Sequence, residues 1–299
     1  MFGLFDKFMM PSNPFDYPVI TALPTIDRVL EPTDRSQMTD ATSVYEESQA
    51  TTADNQFNAG KIGAVWFASQ DLFEDSGVAT ADVMAQAMLK AMTKAIDDVL
   101  INGDETNSSA NISGQGVVPA GGDRKYLILD GLRHEALITT TADKLDNTTL
   151  ATGDMLTLQQ LMGARGIIGT DVQNLAMIVD PGSYFKIAGF SDFYTVDKIG
   201  TELAIILKGQ IGSWNGVPLI VSDEVKDTNS SGAIGASSND FGSQILMHRK
   251  TPLLGLMRDI EIDHETRIFQ DSIGMVARAR LDMKFMEAGG SAVGYHSTI

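Results

Sequence analysis

Four histidines, His134, His248, His264 and His296, have the widest acid–base and metal chemistry of any side chains in this sequence. One of them lies in Asp263-His264-Glu265, which has the composition of a metal site. The flanking residues alternate, Ile260 and Ile262 against Glu261 and Asp263, so the segment reads as a strand. On a strand, residues 263 and 265 share one face and His264 points to the other. The three side chains therefore diverge, and a solvated strand is expected rather than a metal site. His134-Glu135 reads as a surface pair. Ser113-Gly114-Gln115-Gly116 carries a bare Gly-x-Gly, but no strong strand precedes it, so it reads as a flexible loop. There is no Gly-x-Ser-x-Gly elbow, phosphate-loop signature, calcium-loop spacing or His-Glu-x-x-His. The chain has no cysteine, which excludes disulfides and thiolate chemistry. No catalytic residue, cofactor or metal is expected. Long polar stretches beside amphipathic surfaces suit a protein that works by contact with copies of itself.

Charge narrows the partners. The sequence holds 39 acidic and 22 basic residues, for a net charge of −17. Such a chain repels nucleic acid in bulk, because phosphate binding needs clustered Lys and Arg, and no basic run offsets the excess. The 299 residues, 43% of them hydrophobic, can bury a core divided between two subdomains. No apolar run approaches the roughly 20 residues that span a bilayer. The apolar start, MFGLFDKFMMPSNPF, is broken by Asp6, Lys7 and Pro11, unlike a secretory signal.

The elements that position these residues follow from periodicity. Val83, Met84, Ala87, Met88, Ala91, Met92, Ala95, Ile96, Val99 and Leu100 recur at three- and four-residue steps and predict one face of a helix over 81–101. Gln86, Lys90, Lys94, Asp97 and Asp98 fall elsewhere. Thr80 is the candidate N-cap, Asp82 favours the positive helix end, and Asn102-Gly103 supplies the stop. Before it, residues 1–33 are rich in Pro and aromatics and read as an extended arm. Residues 33–60 are polar, either disordered or a projecting hairpin held by a partner, and IGAVWFAS is the returning strand. After the helix, 127–138 carries strand and short-helix signals, Asp154 opens a helix, and 174–180 reads as a buried strand. A short helix follows Pro181-Gly182, and Trp214-Asn215-Gly216 turns into a strand over 217–225. Ala277, Ala279, Leu281, Met283 and Phe285 alternate with charged residues, a half-buried strand. The class is α+β, with a central unit inserted into one built from both ends of the chain.

In this order the parts resemble the major capsid proteins of tailed bacteriophages, the Hong Kong 97-type fold. In that family a strand with Ser and an acidic Leu/Phe segment leads into a spine helix that commonly ends Asn-Gly-Asp. Ser69, Leu72, Glu74, Asp75, the helix with its Met88 and Met92 face, and Asn102-Gly103-Asp104 match. Asp180-Pro181 with Tyr184, and Asn215-Gly216-Val217-Pro218, match two further positions approximately. The resemblance implies an N-arm over 1–33, an extended loop (E-loop) over 34–66, a peripheral domain over 67–140 and 243–299, and an axial domain over 141–242. It implies pentamers and hexamers closing an icosahedral shell around weakly contacted double-stranded DNA, assembled in a host cytoplasm into a virion, with portal and decoration proteins as further partners. Many relatives carry a cleaved N-terminal scaffolding segment. Here Met1 opens almost directly on the arm, so a separate scaffolding protein or none is expected. Some relatives crosslink a loop lysine to an asparagine. Lys61, the lysine between Lys7 and Lys90, lies at the loop's base, so crosslinking is not expected. The alternatives are an encapsulating nanocompartment shell of the same fold, marked by a cargo groove, and an enzyme with His134 or His264 in a concave pocket.

Overall fold

Met84, Met88, Met92, Ile96, Val99 and Leu100 share one side of a 23-residue helix, α1 (Thr80–Asn102), and all six are buried. The stripe is narrower than the sequence predicts: Val83 is 56% exposed, and Ala87 and Ala91 also face outward. Asp98, expected off the buried face, is buried as well. Its carboxylate meets Lys125 Nζ at 2.8 Å and accepts from Tyr126 Oη at 2.8 Å and Asn102 Nδ2 at 2.6 Å. Those partners replace the water it loses, which no helical periodicity could reveal. The side chain of Thr80, the expected cap, lies outside the described residues. The computed structural model describes residues 3–22, 26, 51–71, 80–108, 110–113, 125–163, 166–190, 193–194, 210–235, 239–267 and 271–298.

Gly103 stops α1 by close approach rather than by a left-handed turn. Its N–H bonds to Val99 O at 2.8 Å, and a Cβ added there would lie 2.6 Å from that same oxygen and against the carbonyl of Leu129. Both obstacles are backbone, so neither can swing aside. Gly103→Ala is therefore expected to cost about 1–3 kcal/mol of subunit stability, read as a lower midpoint in urea unfolding. An unchanged midpoint would contradict this packing.

The strands are β1 (Asp6–Met9), β2 (Phe15–Ala22), β3 (Thr51–Phe57), β4 (Gly60–Ser69), β5 (Lys144–Asp146), β6 (Leu175–Val179), β7 (Phe193–Tyr194), β8 (Gln210–Trp214), β9 (Val217–Val221), β10 (Phe241–His248), β11 (Pro252–Arg267), β12 (Ser272–Phe285) and β13 (Ser291–Thr298). The helix after Asp154 is α2 (Asp154–Leu161), and the one after Asp180 is α3 (Pro181–Ala188). One sheet runs β1-β11-β12-β4. The alternation of β12 places Met275, Ala277, Ala279, Leu281 and Met283 in the cluster that holds the Met face of α1. On the other face Arg278, opposite Glu261, pairs with Glu261 and Asp263.

A second sheet runs β5-β13-β10-β6-β9-β8-β7 and is apolar on both faces. Ala176, Ile178, Ile245, Met247 and Val293 join the core of α1. Their neighbours Leu175, Met177, Val179, Leu246 and Ala292 join a separate core with Met155 and Leu158 of α2 and Ile187 of α3. Burial on both sides explains why β6 is a continuous apolar run. β10 starts at Phe241 and runs past position 243, and β13 lies wholly beyond it, so this sheet draws residues from both sides of the boundary expected there. β9 ends at Val221 rather than at 225, because the chain turns with Val225 N–H bonded to Ser222 O. Among the described residues no helix is long and apolar enough to cross a membrane.

The third element is a two-stranded ribbon, with β2 and β3 antiparallel from Phe15 opposite Phe57 to Ala22 opposite Thr51. Its outgoing strand lies within the segment read as an arm. Pro18, opposite Asp54, is tolerated because a two-stranded ribbon has a free edge on each side. Residues 34–50 of the polar stretch 33–60 lie outside the described residues.

Candidate assembly surface

The ribbon is rooted by one aromatic. Phe57 is fully buried with Met10 and Ala59, and Phe8, Phe15, Leu253, Met257 and Met286 pack around them. The Phe8 ring meets Phe57 edge-on at 5.1 Å between centroids. Gly255 on β11 makes room, since a Cβ there would lie 3.0 Å from the Phe57 ring and 2.9 Å from Met10 Sδ. Polar bonds then fix the root. Asn58 N–H donates to Asp282 Oδ2 at 2.6 Å, Ala59 N–H to Asn13 Oδ1 at 2.9 Å, Asn55 Nδ2 to Phe285 O at 3.1 Å and Arg280 Nη2 to Ala59 O at 3.1 Å. Away from the root the ribbon exposes Ile20, and Val65, Trp66 and Phe67 are exposed on β4, an outer strand of its sheet.

The residues singled out in the sequence fall in several places and do not converge. Lys61 and Ser69 are exposed on β4, opposite Arg280 and Ser272. Met88 and Met92 are core residues. Asp180 caps α3, accepting from Ser183 N–H at 2.8 Å, and also takes Ser243 N–H at 3.0 Å, while Pro181 occupies the first turn. Asn215 and Gly216 have φ of 51° and 82°, the positive pair that a tight β8–β9 hairpin requires, and Pro218 follows opposite Ser213. Glu74 and Asp75 lie outside the described residues, as do Gly114 and Gly116.

His134 and His248 occupy structural positions. His134 and Glu135, expected at the surface, are both buried, because Leu132–His134 and the turn Glu135–Thr139 pack beneath α1 and β13. His134 lies 3.6 Å from Asp104 Oδ1 and 3.7 Å from Asp130 Oδ1. Asp104 already accepts the N–H groups of Thr106 and Ile112 at 2.8 and 2.7 Å, and Asp130 that of Glu105 at 2.9 Å. These carboxylates fasten the loop after α1. His248 bridges Asp171 Oδ2 at 3.3 Å and Thr251 Oγ1 at 2.8 Å, the order of an acid–base–hydroxyl relay. Thr251 is buried against Gly290, however, and offers no approach to a substrate. His264 is exposed, while Asp263 pairs with Arg278.

Asp143 is buried, and its Oδ2 has no hydrogen-bond partner among the described residues. Burial, then the nearby Glu135, pushes its carboxyl up to about 6. The native state thus holds this proton more tightly than the unfolded chain, and stability falls as pH rises from about 4 through about 6. Asp143→Asn removes that charge. The variant should melt at a higher temperature than the parent above pH 6 and lose the advantage near pH 4, as followed by thermal unfolding across pH. A pH-independent difference would refute the assignment.

No family profile and no curated protein matches the sequence. The backbone does have counterparts among solved structures. A chain of Microbacterium phage Oxtober96 superposes with a TM-score of 0.62, covering 99% of this chain and 90% of its own at 15% identity. A chain from the capsid of a native GTA particle gives 0.60, covering 99% and 89% at 13% identity. A chain of the satellite phage P4 procapsid, a particle that includes size determination (Sid) protein, gives 0.52, covering 98% and 94% at 11% identity. The fold is that of a phage capsid protein. Within this capsid fold, the residues that hold the ribbon were not foreseen. Phe57 had a signal, being with Tyr45 one of two aromatics in the polar stretch 33–60. Asp282 had none, because in an alternating strand it reads as one more outward charge.

Proposed function

We propose that this chain is a major capsid protein whose copies assemble as pentamers and hexamers into an icosahedral shell around double-stranded DNA. The observation that carries the reading is the match over almost the whole length to chains from a GTA capsid and a P4 procapsid. On this reading the β2–β3 ribbon is the extended loop and α1 the spine. The sheet β1-β11-β12-β4 forms the peripheral domain, and the seven-stranded sheet with α2 and α3 the axial domain. Exposed apolar residues on the ribbon and on β4 are then covered by neighbouring copies, which also makes Lys61 and Ser69 contact positions. The net charge of −17 keeps contact with packaged DNA weak. A scaffolding protein, a portal and a decoration protein complete the set of partners, with assembly in the host cytoplasm.

The test is electron microscopy of the purified protein, alone and co-expressed with a candidate scaffolding protein. Closed icosahedral shells are expected in at least one arm. A strictly monomeric protein in both would overturn the proposal.

A further inference from the structure

We propose that the root of the β2–β3 ribbon is a proton-dependent latch centred on Asp282, closed in mild acid and loosened as pH rises. Asp282 is fully buried, and it is the side chain to which the ribbon root is bonded at the shortest distance, Asn58 N–H to Oδ2 at 2.6 Å. Its second oxygen accepts Met283 N–H at 2.7 Å. Phe57 covers the same root, so lifting the ribbon about residues 57–60 would admit water to this carboxylate.

The surroundings are acidic. From the loop after α1 come Glu105 and, behind it, Asp104. The turn before Leu132 contributes Asp130, whose Oδ1 takes Glu105 N–H, and His134 stands between Asp104 and Asp130. From β12 itself, Lys284 Nζ lies 4.0 Å from Asp282 Oδ1, and Arg280 is engaged by Ala59 O. From β3, the neutral Asn55 binds Phe285 O. Burial raises the proton affinity of Asp282, and Asp130 adds to this, while Lys284 and the two N–H groups oppose it. Glu105 is raised in the same way, by burial first and then by Asp130, Asp282 and Asp104, against Lys284. Glu105 therefore feels the charge of Asp282.

The sign follows from linkage. Release of the ribbon hydrates Asp282 and returns its carboxyl toward the ordinary value of about 3.9. The docked state then holds the proton more tightly than the released one. Docking is strongest below the released value and weakens as pH rises through the docked one. The ratio of docked to released ribbon should fall about tenfold for each unit separating the two values.

Hydrogen exchange of the full-length, unassembled chain, corrected for intrinsic rates, tests this between about pH 4.5 and about pH 7.5. Expected is a loss of protection in 15–22 and 51–57 as pH rises, with α1 unchanged. Asp282→Asn should abolish that pH dependence, and Glu105→Gln should flatten it. Ribbon protection that is constant or rises with pH overturns the latch. So does a loss of protection shared by α1, which would mean global unfolding. If Asp282→Asn does not fold, Glu105→Gln alone decides, and a parental pH profile in that variant overturns the latch. Because the readout is the single chain, it is independent of whether shells form.

Discussion

Met88→Asp is expected to leave the subunit unfolded at neutral pH, while Gln86→Asp leaves it folded. Met88 is 4% exposed in the middle of the buried stripe of α1, among side chains from both sheets. Removing a buried methionine side chain costs about 2–5 kcal/mol. Burying a carboxylate without a partner costs several more, met in part by taking up a proton. Together these match most or all of the about 5–15 kcal/mol by which domains are usually stable. Asp98 shows what such a charge needs on this helix, namely a lysine, a tyrosine and an asparagine around it. Gln86 lies two residues earlier, about 200° away around the helix, and is exposed, where substitutions usually stay within about 0.5 kcal/mol. Far-UV circular dichroism and urea unfolding of the two variants decide the matter. A folded Met88→Asp with the parental midpoint would mean that the face is wrongly assigned.

Phe57→Ala should have the second largest effect, and a local one. Truncating a fully buried phenylalanine costs about 3–5 kcal/mol. Its neighbours Met10, Phe8 and Phe15 form a small cluster separate from the two main cores, so the loss falls on the ribbon. Hydrogen exchange should show 15–22 and 51–57 unprotected while α1 and β12 keep parental protection. If the capsid reading holds, the same variant should fail to close shells while its subunit stays folded, as seen by electron microscopy. Loss of protection throughout the chain would instead make Phe57 part of one cooperative core.

The elements legible in the sequence were those whose own periodicity carries the signal. α1 announced itself through Met84, Met88 and Met92, β12 through alternation, and the β8–β9 turn through Asn215-Gly216, where positive φ restricts the residue type. β2 was hidden because Pro18 argues against a strand, and only its place in a two-stranded ribbon makes it acceptable. His134 and Glu135 read as exposed because polar residues usually are, and their burial depends on partners brought in by the fold.

The sequence by itself therefore determined the order of elements, the buried stripe of the long helix, the acidity that sets this chain apart from DNA binders, and through that order the resemblance to capsid proteins. These are local or additive properties, readable from neighbours within a few residues. Only the tertiary structure decided that β13 and β10 lie between β5 and β6, that Asp98 belongs inside, and that Asp282 holds Asn58 across 224 positions of chain. Such contacts gain their energy from groups distant in sequence that meet only once the chain has closed on itself, and no local pattern encodes them.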